Sequence, residues 1–464
     1  MNGYIEMGMK LFRPSTITLI IVTTLYILIS KVIFDKIYAT SQVIVDEEFH
    51  LPLGEAYCRY DFNQWDPKVT TFPGLYLLST LLFGYFNLCS TYWLRLVSFI
   101  SSTCNIILFY VTLKSYNKEV AWKNIFSAIN LSILPPLYFF SHIYYTDVSS
   151  IMITMLLLIS ARKEYHYLAS IFGVLAIMMR QTNVIWIGML FGDYILKQLF
   201  VLSSENNEHI KTIKIPLKDV QHLTKMILTR PTHILKKANM QLVINCSVYM
   251  SVLCCFLLFV YWNGSIVVGD KTAHEATVHI VQMFYFATFT LLFGWPHFLS
   301  SISPFFRFAR RNKILMLALI GICLCIVHFN TLVHKYMLAD NRHYIFYIWN
   351  RFYGRYYLFR YGMIVVYMFA IYGILYKIWD SNDISFLLMY VSATILVLIM
   401  QKLIEFRYYL FPYILFRLQI KKTTLTILVL ENLTYMAVNA FTFYMFFNKE
   451  IIWDSYDYPQ RLIW

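Results

Sequence analysis

Apolar runs of about twenty residues recur along the chain from residue 15 to residue 447, mostly separated by short polar breaks. A helical run of that length crosses the hydrocarbon core of a bilayer. The pattern predicts spans near 15–34, 91–113, 124–141, 148–161, 165–180, 184–202, 241–262, 280–299, 314–334, 361–377, 384–403 and 423–447. This is an all-α polytopic membrane protein of about twelve transmembrane helices, in a single unit over 1–464. The run 73–88 opens on Pro73 and is interrupted by Gly84. As a span it would invert every later loop, so it is predicted to lie along the interface. Segment 404–418 is open to either placement.

Composition removes the other classes. The chain has 464 residues, 59% hydrophobic, 18% aromatic and 14% charged, with a mean hydropathy of +0.57. Soluble domains carry roughly 25% charged residues. Disorder, coiled coil, secreted disulfide scaffold and soluble enzyme are therefore excluded. The eight cysteines lie mostly within apolar runs and form no C-x-x-C pair, as expected of small buried hydrophobes. Only Cys58 and Cys89 fall where an oxidising compartment could join them.

The net charge of +14 would suit a nucleic-acid partner only if position were ignored. The first run follows Lys10 and Arg13, which suits a signal anchor with a cytoplasmic N-terminus. Lys114, Lys118 and Lys123, then Arg162 and Lys163, then Arg307, Arg310, Arg311 and Lys313 fall on alternate loops. That is the positive-inside pattern of a chain in a lipid bilayer. The long break 203–240 is a cytoplasmic loop on this topology, with an amphipathic surface helix predicted over 211–237.

The opposite, lumenal side is different. Within the first lumenal loop (35–90), segment 35–72 carries seven acidic and three basic residues. A later lumenal segment, 335–360, carries five cations and ten aromatic residues. Moving that many cations across a membrane is costly, which calls for an anionic partner. Arginine forks bind phosphate oxygens bidentately and aromatic faces stack on sugars or lipid, so Ala339-Asp340-Asn341-Arg342-His343-Tyr344 suits a phosphate tethered to lipid. The bland alternative is an aromatic belt at the interface.

The acidic run Asp46-Glu47-Glu48-Phe49-His50 precedes Trp65-Asp66-Pro67-Lys68. A carboxylate there can act as general base toward a sugar hydroxyl, or merely begin a helix as its N-cap and first-turn acids. A cation held by Asp46, Glu47 and His50 is a third option, though no Asp-x-Asp pair accompanies them. Further polar groups collect on the same face: Asp147; Arg180, Gln181 and Asn183; Asp270 and Lys271 with His274 and His279; and Glu405 with Arg407. Asp193 and Glu431 lie inside apolar runs, where an isolated carboxylate most often satisfies neighbouring helices.

These stretches resemble a known family. Asp46-Glu47-Glu48-Phe49-His50, Tyr57-Cys58 and Trp65-Asp66-Pro67-Lys68-Val-Thr-Thr-Phe-Pro73-Gly74-Leu-Tyr76 are similar to the signature of the dolichyl-phosphate-glucose-dependent α-1,2-glucosyltransferases of the endoplasmic reticulum. Met179-Arg180-Gln181-Thr182-Asn183, Gly269-Asp270-Lys271, Ala339-Asp340-Asn341-Arg342-His343-Tyr344 and Glu405-Phe406-Arg407-Tyr408 match as well. The likeness runs from about residue 40 to Trp464. Glu48 stands where the family more often has an apolar residue, and Phe72 where it has a second proline.

The resemblance implies a C-type glycosyltransferase fold, with membrane-parallel helices in the first lumenal loop and a lumenal active site in the endoplasmic reticulum membrane. The implied donor is dolichyl-phosphate-glucose. The implied acceptor is a diglucosylated high-mannose oligosaccharide on dolichyl diphosphate, which gains its terminal α-1,2-linked glucose for protein N-glycosylation. No metal or other cofactor is implied. Asp46 is expected as base, with Glu47 as the alternative. Arg342, His343, Lys271 and Arg407 are expected on the donor phosphate. Trp65, Asp66, Lys68, Asp147, Arg180, Gln181, Asn183, His274, His279, Asp340, Asn341, Tyr344 and Glu405 are expected around the substrates. The rival class is a polytopic transporter or channel subunit, although transporters place charges near the midplane and show internal repeats. A mannose-using C-type transferase would differ only in the sugar.

Overall fold

A computed structural model of the chain describes residues 14–116, 120–203, 215, 225, 229, 239–271, 277–380 and 383–464. It is helical almost throughout. Among the described residues, six helices are long and apolar enough to cross a membrane: Pro14–Thr40, Thr91–Tyr116, Gln181–Leu202, Met240–Asn263, Tyr357–Trp379 and Leu425–Asn448. A seventh arises if Gln282–Arg311 and Lys313–Phe329, bent by 103°, count as one broken span.

The remaining expected spans are shorter or broken. Pro135 and Pro136 split the run 124–141 into α1 (Ala121–Ser132) and α2 (Pro135–Phe140), because a proline tolerates only the first turn of a helix. The helix α3 (Thr146–Arg162) has 17 residues, a rise of about 26 Å against roughly 30 Å of hydrocarbon. His166–Met179 and Ile384–Ile399 are likewise short apolar helices. The 73–88 run forms helical structure over Gly74–Phe86, too short to cross. Segment 404–418 enters a helix, Leu410–Gln419, in which every residue is buried. The expected surface helix over 211–237 lies outside the described residues, apart from isolated positions.

The intramembrane carboxylates are satisfied by neighbours. Glu431 accepts from Arg417 Nε and Nη2 at 2.7 and 2.8 Å, from Asn130 at 2.8 Å, and pairs with His297 at 3.1 Å. Asp193 pairs with Lys197 and accepts from Ser385, both at 2.6 Å. A buried charge with partners on several helices fixes how those helices meet, since an unpaired one would be costly.

Two features shape the functional end. Cys58 and Cys89 form a disulfide, while the other six cysteines are free. The bond closes the loop that holds helix Glu47–Cys58 against Gly74–Phe83. Gly74 lets Gly74–Phe83 also pack against helix His166–Met179, because a Cβ there would overlap the Met178 carbonyl. The only strands among the described residues are a two-residue antiparallel pair, Glu450–Ile451 with Gln460–Arg461.

Candidate active site

The helix Glu47–Cys58 starts on an unusual turn. Val45, a β-branched residue, has φ of 47°, in the left-handed region that such side chains avoid. The hydroxyl of Tyr145 holds this turn, accepting from Asp46 N at 2.9 Å and donating to Ile44 O at 3.3 Å. Asp46 occupies the N-cap position, but its side chain caps nothing. The carboxylate instead faces a cavity of about 580 Å³ that Phe49, His50, Lys68, Arg180, Arg342, His343, Glu405, Arg407 and Trp464 also line.

The three neighbouring acids part ways. Glu47 is fully buried. It accepts from Arg95 Nε and Nη2 at 2.9 and 2.6 Å, from Ile44 N at 3.0 Å and from Tyr144 N at 2.7 Å. Glu48 is exposed and accepts from the Tyr456 hydroxyl at 2.6 Å. Asp46 keeps 36% of its side-chain surface open and meets Arg407 Nη2 at 3.2 Å. Since Glu47 turns onto Arg95, Asp46, Glu47 and His50 do not share one ligand set. Among the described residues no group of three or more His, Cys, Asp or Glu is placed to hold a metal ion.

Arg407 is the hub of the cavity. It pairs with Glu405 at 2.7 Å, with Asp46 at 3.2 Å and with Asp147 at 3.9 Å, while Asp147 also pairs with Arg180. Burial disfavours a charged Asp46, but the surrounding positive groups, Arg407 first among them, together outweigh that cost and hold the carboxyl below its ordinary value. Burial likewise pulls the His50 ring down to about 4, so the imidazole is neutral at physiological pH; its Nδ1 lies 2.6 Å from the Tyr76 hydroxyl. A base must be ionised to work, so Asp46 stays competent until pH falls below the carboxylate range near 4. Arg407→Gln removes the foremost lowering charge and leaves burial, so the acid limb of kcat/KM is expected to move to higher pH; an unmoved limb would contradict this origin of the shift.

Arg342 lines the same cavity. It forks onto Asp340 at 3.0 and 2.8 Å, donates to Gln460 at 3.1 Å and lies 4.2 Å from the centre of the Trp453 ring. His343 pairs in parallel with Ile463, and its Nδ1 sits 3.1 Å from Trp464 O. The segment 450–464 thus backs Arg342 and His343, and its Trp464 lines the cavity.

With this geometry in view, comparison with known proteins is decisive. Residues 40–418 match the model of the DIE2/ALG10 family. The chain belongs to the DIE2/ALG10 family. A Drosophila melanogaster protein named Dol-P-Glc:Glc(2)Man(9)GlcNAc(2)-PP-Dol alpha-1,2-glucosyltransferase is 40% identical over 449 residues, 95% of this chain and 97% of its own. Proteins of the same name from Rattus norvegicus and Arabidopsis thaliana are 34% and 29% identical, covering 92% and 96% of this chain and 94% and 98% of their own. No solved structure matches the chain.

In this DIE2/ALG10 chain the structure brings together Asp46, Lys68, Arg180, Asp340, Arg342, His343, Glu405 and Arg407 around one cavity. Asp147, Gln181 and Asn183 line a smaller one beside it. Others serve as supports. Trp65 packs on Tyr76, and Asp66 accepts from Lys68 N at 2.8 Å, shaping the turn. Asn341 accepts from Trp453 Nε1 at 2.8 Å, and Tyr344 packs on Trp464. His279 is fully buried, its Nε2 accepting from Leu332 N at 3.3 Å. Lys271, expected on the phosphate, is exposed and donates to Asn263 O; its neighbour Asp270 lines the cavity instead. That loop docks through Gly269, whose φ is 69° and whose absent Cβ would lie 2.3 Å from Pro67 O. His274 lies outside the described residues. Sequence reasoning weighed His50 only as a cation ligand and assigned no site role to Asp270 or Trp464. For His50 the signal was present, four residues after Asp46 and so on the same helical face.

Proposed function

We propose that this DIE2/ALG10 chain transfers the third, terminal glucose from dolichyl-phosphate-glucose to the diglucosylated high-mannose oligosaccharide on dolichyl diphosphate, in α-1,2 linkage with inversion. The setting is the lumenal face of the endoplasmic reticulum membrane, in a C-type glycosyltransferase fold of about twelve spans. The Cys58–Cys89 disulfide supports an oxidising compartment for that face. The printed name of the relatives supplies the substrates.

One observation carries the chemistry. Of the acids at 46–48, Asp46 is the one that faces the cavity, and it does so beside several cations. The acceptor 2-hydroxyl oxygen attacks the anomeric carbon as the bond from that carbon to the phosphate oxygen breaks. Asp46 takes the hydroxyl proton, and dolichyl phosphate leaves as a monoester that needs no proton. Arg407, Arg180, Arg342, His343 and Lys68 supply positive charge or donors for the growing phosphate charge. Their present partners, Asp340 and Glu405 above all, hold them in place before substrate arrives. Lys271 and Glu47 stand outside this step, the first exposed beyond the cavity and the second engaged by Arg95.

The test is the product. Purified protein in detergent, supplied with donor and diglucosylated acceptor in the presence of chelator, should yield a new α-1,2 glucosyl linkage by NMR. A β linkage, or transfer that requires added metal, would overturn the proposal.

A further inference from the structure

Beside the catalytic cavity lies a second, of about 140 Å³. Thr71, Arg180, Arg407 and Tyr408 line both, so the two arginines stand between them. The inner walls combine the aromatic rings of Trp186, Tyr408 and Phe411 with the polar side chains of Asp147 and Asn183. An aromatic face beside hydrogen-bonding groups is the chemistry that receives a sugar ring.

Two buried atoms in this wall have no hydrogen-bond partner among the described residues: Oδ2 of Asp147 and Oγ1 of Thr71. Asp147 is 1% exposed, and Arg407 Nη1 stands 3.9 Å from that oxygen. Its other oxygen pairs with Arg180. Buried polar atoms are nearly always satisfied, and leaving one unmade is costly. The amide nitrogens nearby are already in use: Asn183 Nδ2 donates to Ser150 Oγ at 2.8 Å and to Ala176 O at 2.7 Å. The unmet groups are therefore specific, and both adjoin the same small space.

We infer that this inner cavity holds the glucosyl ring of the donor, with Asp147 Oδ2 accepting from one ring hydroxyl and Thr71 Oγ1 hydrogen-bonded to another. The inference rests on the transferase reading above and adds to it which hexose sits where. Size separates the two substrates. The inner space suits one ring, whereas a branched oligosaccharide needs the larger cavity onto which Asp46 opens. With the anomeric carbon at the passage, the phosphate meets Arg180 and Arg407, and the opposite face is left to the hydroxyl that Asp46 deprotonates. Asp147 takes no proton in this scheme. It binds and positions the ring and, with Thr71, selects the sugar.

The experiment uses the full chain, dolichyl-phosphate-glucose, bare dolichyl phosphate as competitive inhibitor, and the diglucosylated acceptor. Thr71→Val keeps the shape and removes a hydroxyl that bonds nothing among the described residues, so thermal stability should equal that of the wild type. The KM for the glucosyl donor should rise about fivefold, the worth of one neutral hydrogen bond. The Ki of dolichyl phosphate and the KM of the acceptor should not move. Asp147→Asn should raise the donor KM at least about tenfold, well beyond any change in the Ki of dolichyl phosphate that follows from its lost pairing with Arg180. A shift in acceptor KM alone, a matching shift in the Ki of dolichyl phosphate, or no change in Thr71→Val would each overturn the inference. Wild-type protein that transfers no glucose would overturn it together with the transferase reading beneath it.

Discussion

Asp46→Asn is expected to reduce glucose transfer by about 10²- to 10⁴-fold, the usual contribution of a positioned general base, while the protein stays folded. The side chain caps no helix and packs into no core. Its ion pair with Arg407 is only one of those Arg407 makes, and Glu405 and Asp147 still hold the guanidinium when Asp46 loses its charge. The amide is nearly isosteric, keeps Val45 and the Tyr145 hydrogen bond undisturbed, and cannot take a proton from a hydroxyl. Turnover measured beside thermal unfolding in detergent separates the two effects. A variant with intact melting behaviour and near-normal turnover would remove Asp46 from the chemistry.

Glu47, one residue on, is expected to behave in the opposite way. Its carboxylate and the Arg95 guanidinium are both fully buried. Arg95 also donates to Ser41 O and Gln42 O at 3.1 Å, so the pair fastens the first loop to helix Thr91–Tyr116. Removing one partner leaves an uncompensated buried charge, a loss of about 3–5 kcal/mol. Arg95→Met should therefore lower the melting temperature strongly and reduce activity only in step with the lost folded protein. Glu47→Gln should do the same, since an amide cannot meet both the guanidinium and the backbone donors. Full stability with lost turnover in Glu47→Gln would instead make Glu47 the base.

This contrast marks where the sequence stops being informative. The acidic run at 46–48 is legible as a candidate because charge is rare in the chain and gathers there. Which acid works is not legible, because successive helical residues point about 100° apart and the deciding partners, Arg95 and Tyr144, stand 48 and 97 positions away. Asp340 and Arg342 were found by composition, yet what backs Arg342 is the 450–464 segment, whose Trp453 and Tyr456 read equally well as interfacial aromatics. The family match ends at residue 418 and does not reach that segment either. Hydropathy located the long helices, whereas whether the shorter apolar ones cross is not legible from it, since an apolar stretch buried among protein neighbours has the same composition as one facing lipid. The broken run at Pro135 was visible in the residues. The burial of Leu410–Gln419 was not, because Arg417 looks like an interface anchor until Glu431 is placed against it.

Mass spectrometry of the acceptor tests the central claim most directly. Purified protein would be given dolichyl-phosphate-glucose or dolichyl-phosphate-mannose, with acceptors ending in either two glucoses or one. A single hexose gained only from the glucosyl donor, and only on the diglucosylated acceptor, is the expected outcome. Transfer from the mannosyl donor, equal transfer to both acceptors, or none from well-folded protein would contradict it.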